Sequence, residues 1–364
     1  MTRKTEHLFS LMSTSSEEYL NHVDLALNLD LLNGCNHRCQ GCFVRTHKAP
    51  EGWDKLIDRA LNVAQDFTRR GVRLREVFLG PTDLLTASNT LECLNHPNFQ
   101  KLLSLSTETR LKVAAIFADG KTKEFLEIFK SLDQAGSYPP GLMIEFLIPI
   151  DPVTILSAPE SYIAKHLEVF DFFEFQTSKQ IEWCFVININ TSQTLRTKLV
   201  EIVQLVKERL RTVVEFNPGF FRLEKSDSVK ARLGEWRDFL ERLIIEHPDL
   251  PLNLTNMNPQ HGASNTIALN FTPRGVYLSP FIYEQIFDFH ESLLLEDLSA
   301  PAVVNRHMEL QEKGFQYATS TENCDDCLML ASCAGRNVLN FMSTNAIKSC
   351  IFPKQFRREG GHFR

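Results

Sequence analysis

Three cysteines and a histidine fall within eight positions of the stretch NGCNHRCQGCF, residues 33–43. Cys35 and Cys39 are separated by three residues, and Cys39 and Cys42 by two. Three thiolates on one short loop can ligate three irons of a cubane cluster, which leaves the fourth iron open to a substrate or cofactor. The same loop offers zinc a Cys3His set if His47 or His37 joins the three cysteines. A second group, Cys324, Cys327, Cys333 and Cys350, supplies four thiolates near the other end of the chain. Four thiolates complete either a tetrahedral zinc site or a [4Fe–4S] cluster, and spacing alone does not choose between them. Cys93 and Cys184 read as core thiols, one in a helix-like segment and one in a strand-like segment.

The elements that would position these groups alternate. Strand-like runs occupy residues 24–31, 74–80, 111–117, 142–150, 183–189 and 212–218. Helical periodicity lies between them, as in WDKLIDRALNVAQDFTRRG, where Gly71 is a stop signal, and TLRTKLVEIVQLVKERL. Such alternation predicts parallel strands with right-handed crossovers, in an open sheet or a barrel. The first cysteine loop follows the first strand directly. In a barrel that is the carboxyl end, where such folds place their chemistry.

Strand polarity bears on the choice. Asn28 and Asp30 share one face of their strand, as do Asn188 and Asn190, and Glu215 and Asn217, while Glu145 sits between apolar neighbours. A layered sheet covered by helices on both faces has strands that are nearly all apolar. Polar positions on several strands predict instead a barrel interior that holds a polar ligand, the alternative being strand ends that face solvent. Beyond residue 225 a helix-like segment (226–247) leads into a Pro- and Asn-rich linker, then a hairpin that turns at PRG, then the last cysteines. The expected organisation is an N-terminal extension (1–22), an α/β core (23–225), a helix and linker (226–262), a hairpin and helix domain holding the second cysteine group (263–352), and a basic tail (353–364).

Composition narrows the function classes. The 364 residues are 43% hydrophobic, enough for a large core, and the formal net charge of −6 argues against a broad nucleic-acid footprint. No run of eighteen apolar residues predicts a membrane helix, and the N-terminus lacks a secretory signal pattern. A cytoplasmic location is therefore expected. In that reducing setting the nine cysteines suit metal or redox work better than disulfides.

CNHRCQGC resembles the CxxxCxxC signature of radical S-adenosylmethionine (SAM) enzymes, and its place after the first strand matches that family. The resemblance implies a partial (β/α)6 barrel in which Cys35, Cys39 and Cys42 hold a [4Fe–4S] cluster. The open iron would bind the amino and carboxylate groups of SAM, whose reductive cleavage gives a 5′-deoxyadenosyl radical that abstracts a hydrogen from the substrate. Gly41 stands where the family often has an aromatic residue, and Phe43 follows the third cysteine. A Gly-Gly-Glu-Pro-like turn in the family contacts the SAM amino group; here Gly80, Pro81, Thr82 and Asp83 occupy it, with the Thr82 hydroxyl or the Asp83 carboxylate in place of the glutamate. Asp151 matches the aspartate of a Ser-x-Asp pattern after the fourth strand. Asn190 joins this expected cofactor set, and Asn28, Asp30, Glu145, Glu215 and Asn217 are the expected substrate contacts.

The C-terminal part is similar to the SPASM/twitch extension of some of these enzymes. By that resemblance Cys324, Cys327, Cys333 and Cys350 ligate one auxiliary [4Fe–4S] cluster. Ser279, Pro280 and Asn337 stand at or beside positions where inner-cluster cysteines would be, so two clusters are expected in all. The implied substrate is a peptide or protein side chain, with an electron donor such as flavodoxin or ferredoxin. The segment before the first strand is too short for a leader-binding domain, so a separate leader-binding protein is an expected partner. Two alternatives stand beside this reading. One is small-molecule chemistry, either alcohol dehydrogenation of an aminocyclitol or side-chain decarboxylation in haem synthesis. The other is a zinc-stabilised binding protein without catalysis. No nucleic-acid or membrane partner is expected.

Overall fold

A computed structural model describes residues 15–32, 34, 52–80, 82–115, 117, 121–149, 159–188, 215–219, 242, 245–246, 266–278 and 294–319. All six expected strands form close to their expected positions: β1 (Asp24–Asp30), β2 (Arg73–Gly80), β3 (Arg110–Ala114), β4 (Met143–Pro149), β5 (Gln180–Asn188) and β6 (Glu215–Gly219). The expected hairpin forms as β7 (Thr266–Thr272) and β8 (Gly275–Leu278). The helices are α1 (Ser16–Leu20), α2 (Trp53–Arg69), α3 (Thr90–Asn95), α4 (Pro97–Leu103), α5 (Thr122–Gln134), α6 (Pro159–Gln176) and α7 (Ala300–Thr319). The segment TLRTKLVEIVQLVKERL lies outside the described residues.

Periodicity explains the helices. In α2, Ile57, Ala60, Leu61, Ala64 and Phe67 recur at spacings of three and four and are all buried. Gly71 follows with φ +86°, as its reading as a stop signal requires. Pro97 opens α4 in the first turn, where its missing N–H costs no helical hydrogen bond.

The strands form one eight-stranded sheet in the order β6-β5-β4-β3-β2-β1-β7-β8. Strands β1 to β6 are parallel and adjacent in chain order, β7 pairs parallel with the other side of β1, and only β8 is antiparallel. Right-handed crossovers between strands that are neighbours in sequence and in space put their helices on a single face of the sheet. Burial agrees. Leu27, Val77, Leu111, Phe146 and Leu269 belong to the same apolar core as the buried side of α2.

Strand positions alternate between faces, so the register identifies the residues on the opposite side. One row there runs Tyr277, Asn270, Asn28, Phe78, Lys112, Glu145, Glu182. The next row toward the carboxyl ends contains Asp30, Gly80, Ala114, Leu147, Cys184 and Glu215. The polar strand positions selected from sequence therefore fall on one face, and the helix-covered face is apolar. The hairpin that opens the expected C-terminal domain is continuous with the sheet of the core. No helix among the described residues is long and apolar enough to cross a membrane.

Candidate active site

At the carboxyl ends of β1 and β2 the chain is held by a compact set of backbone bonds. The N–H groups of Leu31 and Leu32 both donate to the Gly80 carbonyl, each at 2.9 Å, so the segment that leads to Cys35 starts beside the turn after β2. Gly80 is required by close approach: a Cβ there would lie 2.2 Å from Cε1 of Phe78, the fully buried ring on the polar face. Beyond Gly80 the chain crosses to β3, where the Leu84 N–H donates to the Ala114 carbonyl at 2.8 Å.

Thr82 and Asp83 are both buried in this turn. The Thr86 N–H donates to Asp83 Oδ2 at 3.1 Å, so that carboxylate shapes its own turn. The Thr82 hydroxyl is 1% exposed as a residue, and its Oγ1 has no hydrogen-bond partner among the described residues. Buried hydroxyls are normally paired. An unpaired one at the expected cofactor turn has the chemistry to accept from a ligand ammonium, so these residues fit the group that the resemblance implies.

Nearer the amino ends of the strands, the polar face carries a ladder of alternating charge. Lys112 Nζ reaches Glu76 at 2.9 Å and Glu145 at 3.4 Å, while Arg110 reaches Glu145 at 3.0 Å and Glu182 at 3.1 Å. Glu145, 2% exposed, is the most deeply buried member. Burial pushes its carboxyl above the usual range; Lys112 and Arg110 pull it back, while Glu76 and Glu182 push it up. Burial would also raise Glu76, but Lys112, Arg110 and Arg75 together outweigh it and hold that carboxyl low. These groups occupy the amino-terminal half of β2 to β5, away from the turns at the carboxyl ends.

Of the expected site residues, the structure brings Asn28, Asp30, Glu145, Gly80, Thr82 and Asp83 to the polar face of the sheet or to the turn at its carboxyl end. Asn28 Nδ2 donates to Asn270 Oδ1 at 3.0 Å, and the Glu145 carboxylate is held by Lys112 and Arg110. Glu215 and Asn217 stand opposite Cys184 and Val186 in register, positions on the same face as Glu182. Cys35, Cys39, Cys42, Pro81, Asp151, Asn190, Cys324, Cys327, Cys333 and Cys350 lie outside the described residues.

Sequence reading passed over Asn270, Lys112, Arg110 and Glu76. Asn270 carried the same signal as Glu145, a polar residue between apolar neighbours in a strand. Arg110 and Lys112 alternate with Leu111 and Val113, but they lie near the start of a short strand and read as ordinary flanking charges. Among the described cysteines Cys93 is buried and in no disulfide, as expected of a core thiol. No protein-family model matches this chain, and no curated protein matches it either.

Proposed function

We propose that this chain is a radical SAM enzyme whose sheet is the family's partial barrel, with the polar face as its interior. The observation that carries the reading is the meeting of the segment leading to Cys35 with the Gly80–Asp83 turn, where the buried Thr82 hydroxyl has no partner among the described residues. Cys35, Cys39 and Cys42 would hold the SAM-binding [4Fe–4S] cluster, and Cys324, Cys327, Cys333 and Cys350 an auxiliary one. The cofactors would supply one-electron cleavage of SAM to a 5′-deoxyadenosyl radical for hydrogen abstraction. The protein's part is to bind and orient: Thr82 accepts from the SAM ammonium, and the polar face holds the substrate and keeps water from the reacting carbon.

The substrate in this reading is a peptide or protein side chain, with a flavodoxin- or ferredoxin-type electron donor and a separate leader-binding protein. A reducing cytoplasm would keep the cysteines available as thiolate ligands. Small-molecule chemistry, either alcohol dehydrogenation of an aminocyclitol or side-chain decarboxylation in haem synthesis, is the second reading. The side chains of Glu76 and Glu182, 20% and 40% exposed, favour the aminocyclitol by offering acceptors to hydroxyl and ammonium groups on the polar face.

The test is iron, acid-labile sulfide and zinc per chain after reconstitution without oxygen, followed by assay for 5′-deoxyadenosine with SAM and a reductant. About eight irons with matching sulfide and nucleoside formation are expected for two cubane clusters. About two zincs without sulfide would mean structural sites and a binding protein. Tryptic mapping of peptides incubated with the reduced enzyme then separates the substrate readings.

A further inference from the structure

We infer that Asn89 is a positioning residue for the cysteine loop, holding the backbone from which Cys35, Cys39 and Cys42 depart. The inference rests on the reading of those three cysteines as a cluster site. Asn89 is buried, and its Nδ2 donates to the Leu31 carbonyl at 2.8 Å across 58 residues of sequence. The Leu31 peptide is thus gripped from both sides, its N–H by the Gly80 carbonyl and its C=O by Asn89. Leu31 and Leu32 donate to the same carbonyl, which marks the point where the chain leaves the ladder of β1 and β2. Beyond that point a buried carbonyl has no strand partner and needs a donor from elsewhere. Asn89 is that donor, and the chain reaches Cys35 through Gly34 at φ +77°.

Asn89 is itself well anchored. Its carbonyl accepts from the Cys93 N–H at 3.0 Å at the start of α3, and its Nδ2 also lies 3.7 Å from Cys93 Sγ. The neighbouring Thr90 hydroxyl donates to the Leu84 carbonyl at 2.6 Å, and Leu84 is bonded to the end of β3. One continuous set of bonds therefore joins the Thr82–Asp83 turn, Asn89 and the departure of the cysteine loop. Groups hydrogen-bonded directly to metal ligands commonly change metal affinity by about 10- to 100-fold when removed, and Asn89, which acts on backbone four residues before Cys35, is expected at the low end of that range.

The experiment uses the full chain with Cys324→Ala and Cys327→Ala, so that only the first site is read, and adds Asn89→Asp or Asn89→Ala. Aspartate keeps the shape of asparagine but as a carboxylate presents no donor to the Leu31 carbonyl. Three quantities are measured: iron release to a ferrous chelator, the change in the reduced cluster's electron paramagnetic resonance on adding SAM, and thermal unfolding of iron-free protein. The expected result is iron release about tenfold faster and a weakened SAM-induced spectral change in both variants, at temperatures where their iron-free forms remain fully folded despite the loss of one buried hydrogen bond. If the parent binds iron and both variants release it at the parent's rate, the inference fails and the proposed function stands. If iron release quickens only at temperatures where the iron-free variants begin to unfold, Asn89 serves folding alone and the inference fails. A parent that takes up no iron or sulfide overturns the proposed function and this inference with it.

Discussion

Thr82 and Asp83 are adjacent and equally hidden, yet only one has its hydrogen bonds arranged within the turn. Asp83 accepts from the Thr86 N–H, while the Thr82 hydroxyl has no partner among the described residues. Leaving a buried hydroxyl unpaired costs about 1–3 kcal/mol, and a hydrogen bond to a charged group returns a similar amount. Thr82→Val keeps the shape and removes the oxygen, so its two effects should have opposite signs. The ligand-free protein should unfold at the same or a higher urea concentration, while SAM binds roughly tenfold or more weakly by equilibrium dialysis. Equal SAM affinity would remove Thr82 from the cofactor site. Cys93 has a different fate. Burial, with Glu92 adding to it, pushes its thiol up to about 12, so at pH 8 almost no thiolate is present to react. Iodoacetamide should leave Cys93 unmodified in native protein and label it in urea, as peptide mass spectrometry would show.

Across β2 to β5 the charge ladder converts single residues into a property of the sheet. Each cation bridges two carboxylates: Lys112 takes Glu76 and Glu145, and Arg110 takes Glu145 and Glu182. Losing Glu145 therefore leaves each cation with a partner, whereas losing Lys112 leaves Glu76 and Glu145 facing each other's charge. Lys112→Met should destabilise by about 3–5 kcal/mol at neutral pH, as expected when one side of a buried pair is removed. The two carboxylates should also differ in sign. Glu145 is held above its ordinary range, so the wild-type protein loses stability as pH rises through its folded-state value, and Glu145→Gln removes that loss. Glu76 is held below its ordinary range, so it stabilises above its unfolded-state value, and that contribution disappears as pH falls through its folded-state value. In urea titrations, Glu145→Gln should gain stability relative to wild type as pH rises from acid to neutral, and Glu76→Gln should lose it; the same sign for both would refute the assignment. Strand existence and polar parity were readable because Asn28 and Asp30, Glu145, and Glu215 and Asn217 interrupt apolar runs on one face of their strands. Pairing was not readable. Nothing local to Arg110 announces that Glu145 and Glu182 stand within reach of it, because register belongs to the assembled sheet. Asn89 was hidden for a related reason, since its partner is a backbone carbonyl 58 residues away.

At the scale of the whole molecule, the C-terminal hairpin and helix are built into the core. β7 pairs along β1, and Ile267, Leu269 and Phe271 are fully buried against the helix-covered side. On the other face Asn270 pairs with Asn28, so β7 contributes to both sides of the sheet. The first helical N–H of α7, that of Ala300, donates to Asp66 of α2 at 2.8 Å. A carboxylate at a helix N-terminus contributes about 1 kcal/mol, so Asp66→Ala should lower unfolding stability by that amount and no more. Removing everything after residue 262 is a different perturbation, because it withdraws the buried side chains of β7 and β8 from the sheet and exposes the edge of β1. At about 1.5–3 kcal/mol for each buried side chain, Ile267, Leu269 and Phe271 of β7 alone account for roughly 5–9 kcal/mol, against the 5–15 kcal/mol by which a typical domain is stable. The sequence invites a cut between a catalytic core and an auxiliary domain at the Pro- and Asn-rich linker, but the sheet runs across that division. Residues 1–262 expressed alone should therefore show no cooperative urea transition and should be degraded rapidly by trypsin. A cooperative transition at the full-length midpoint would show instead that β1 to β6 fold independently and that the hairpin is an appendage.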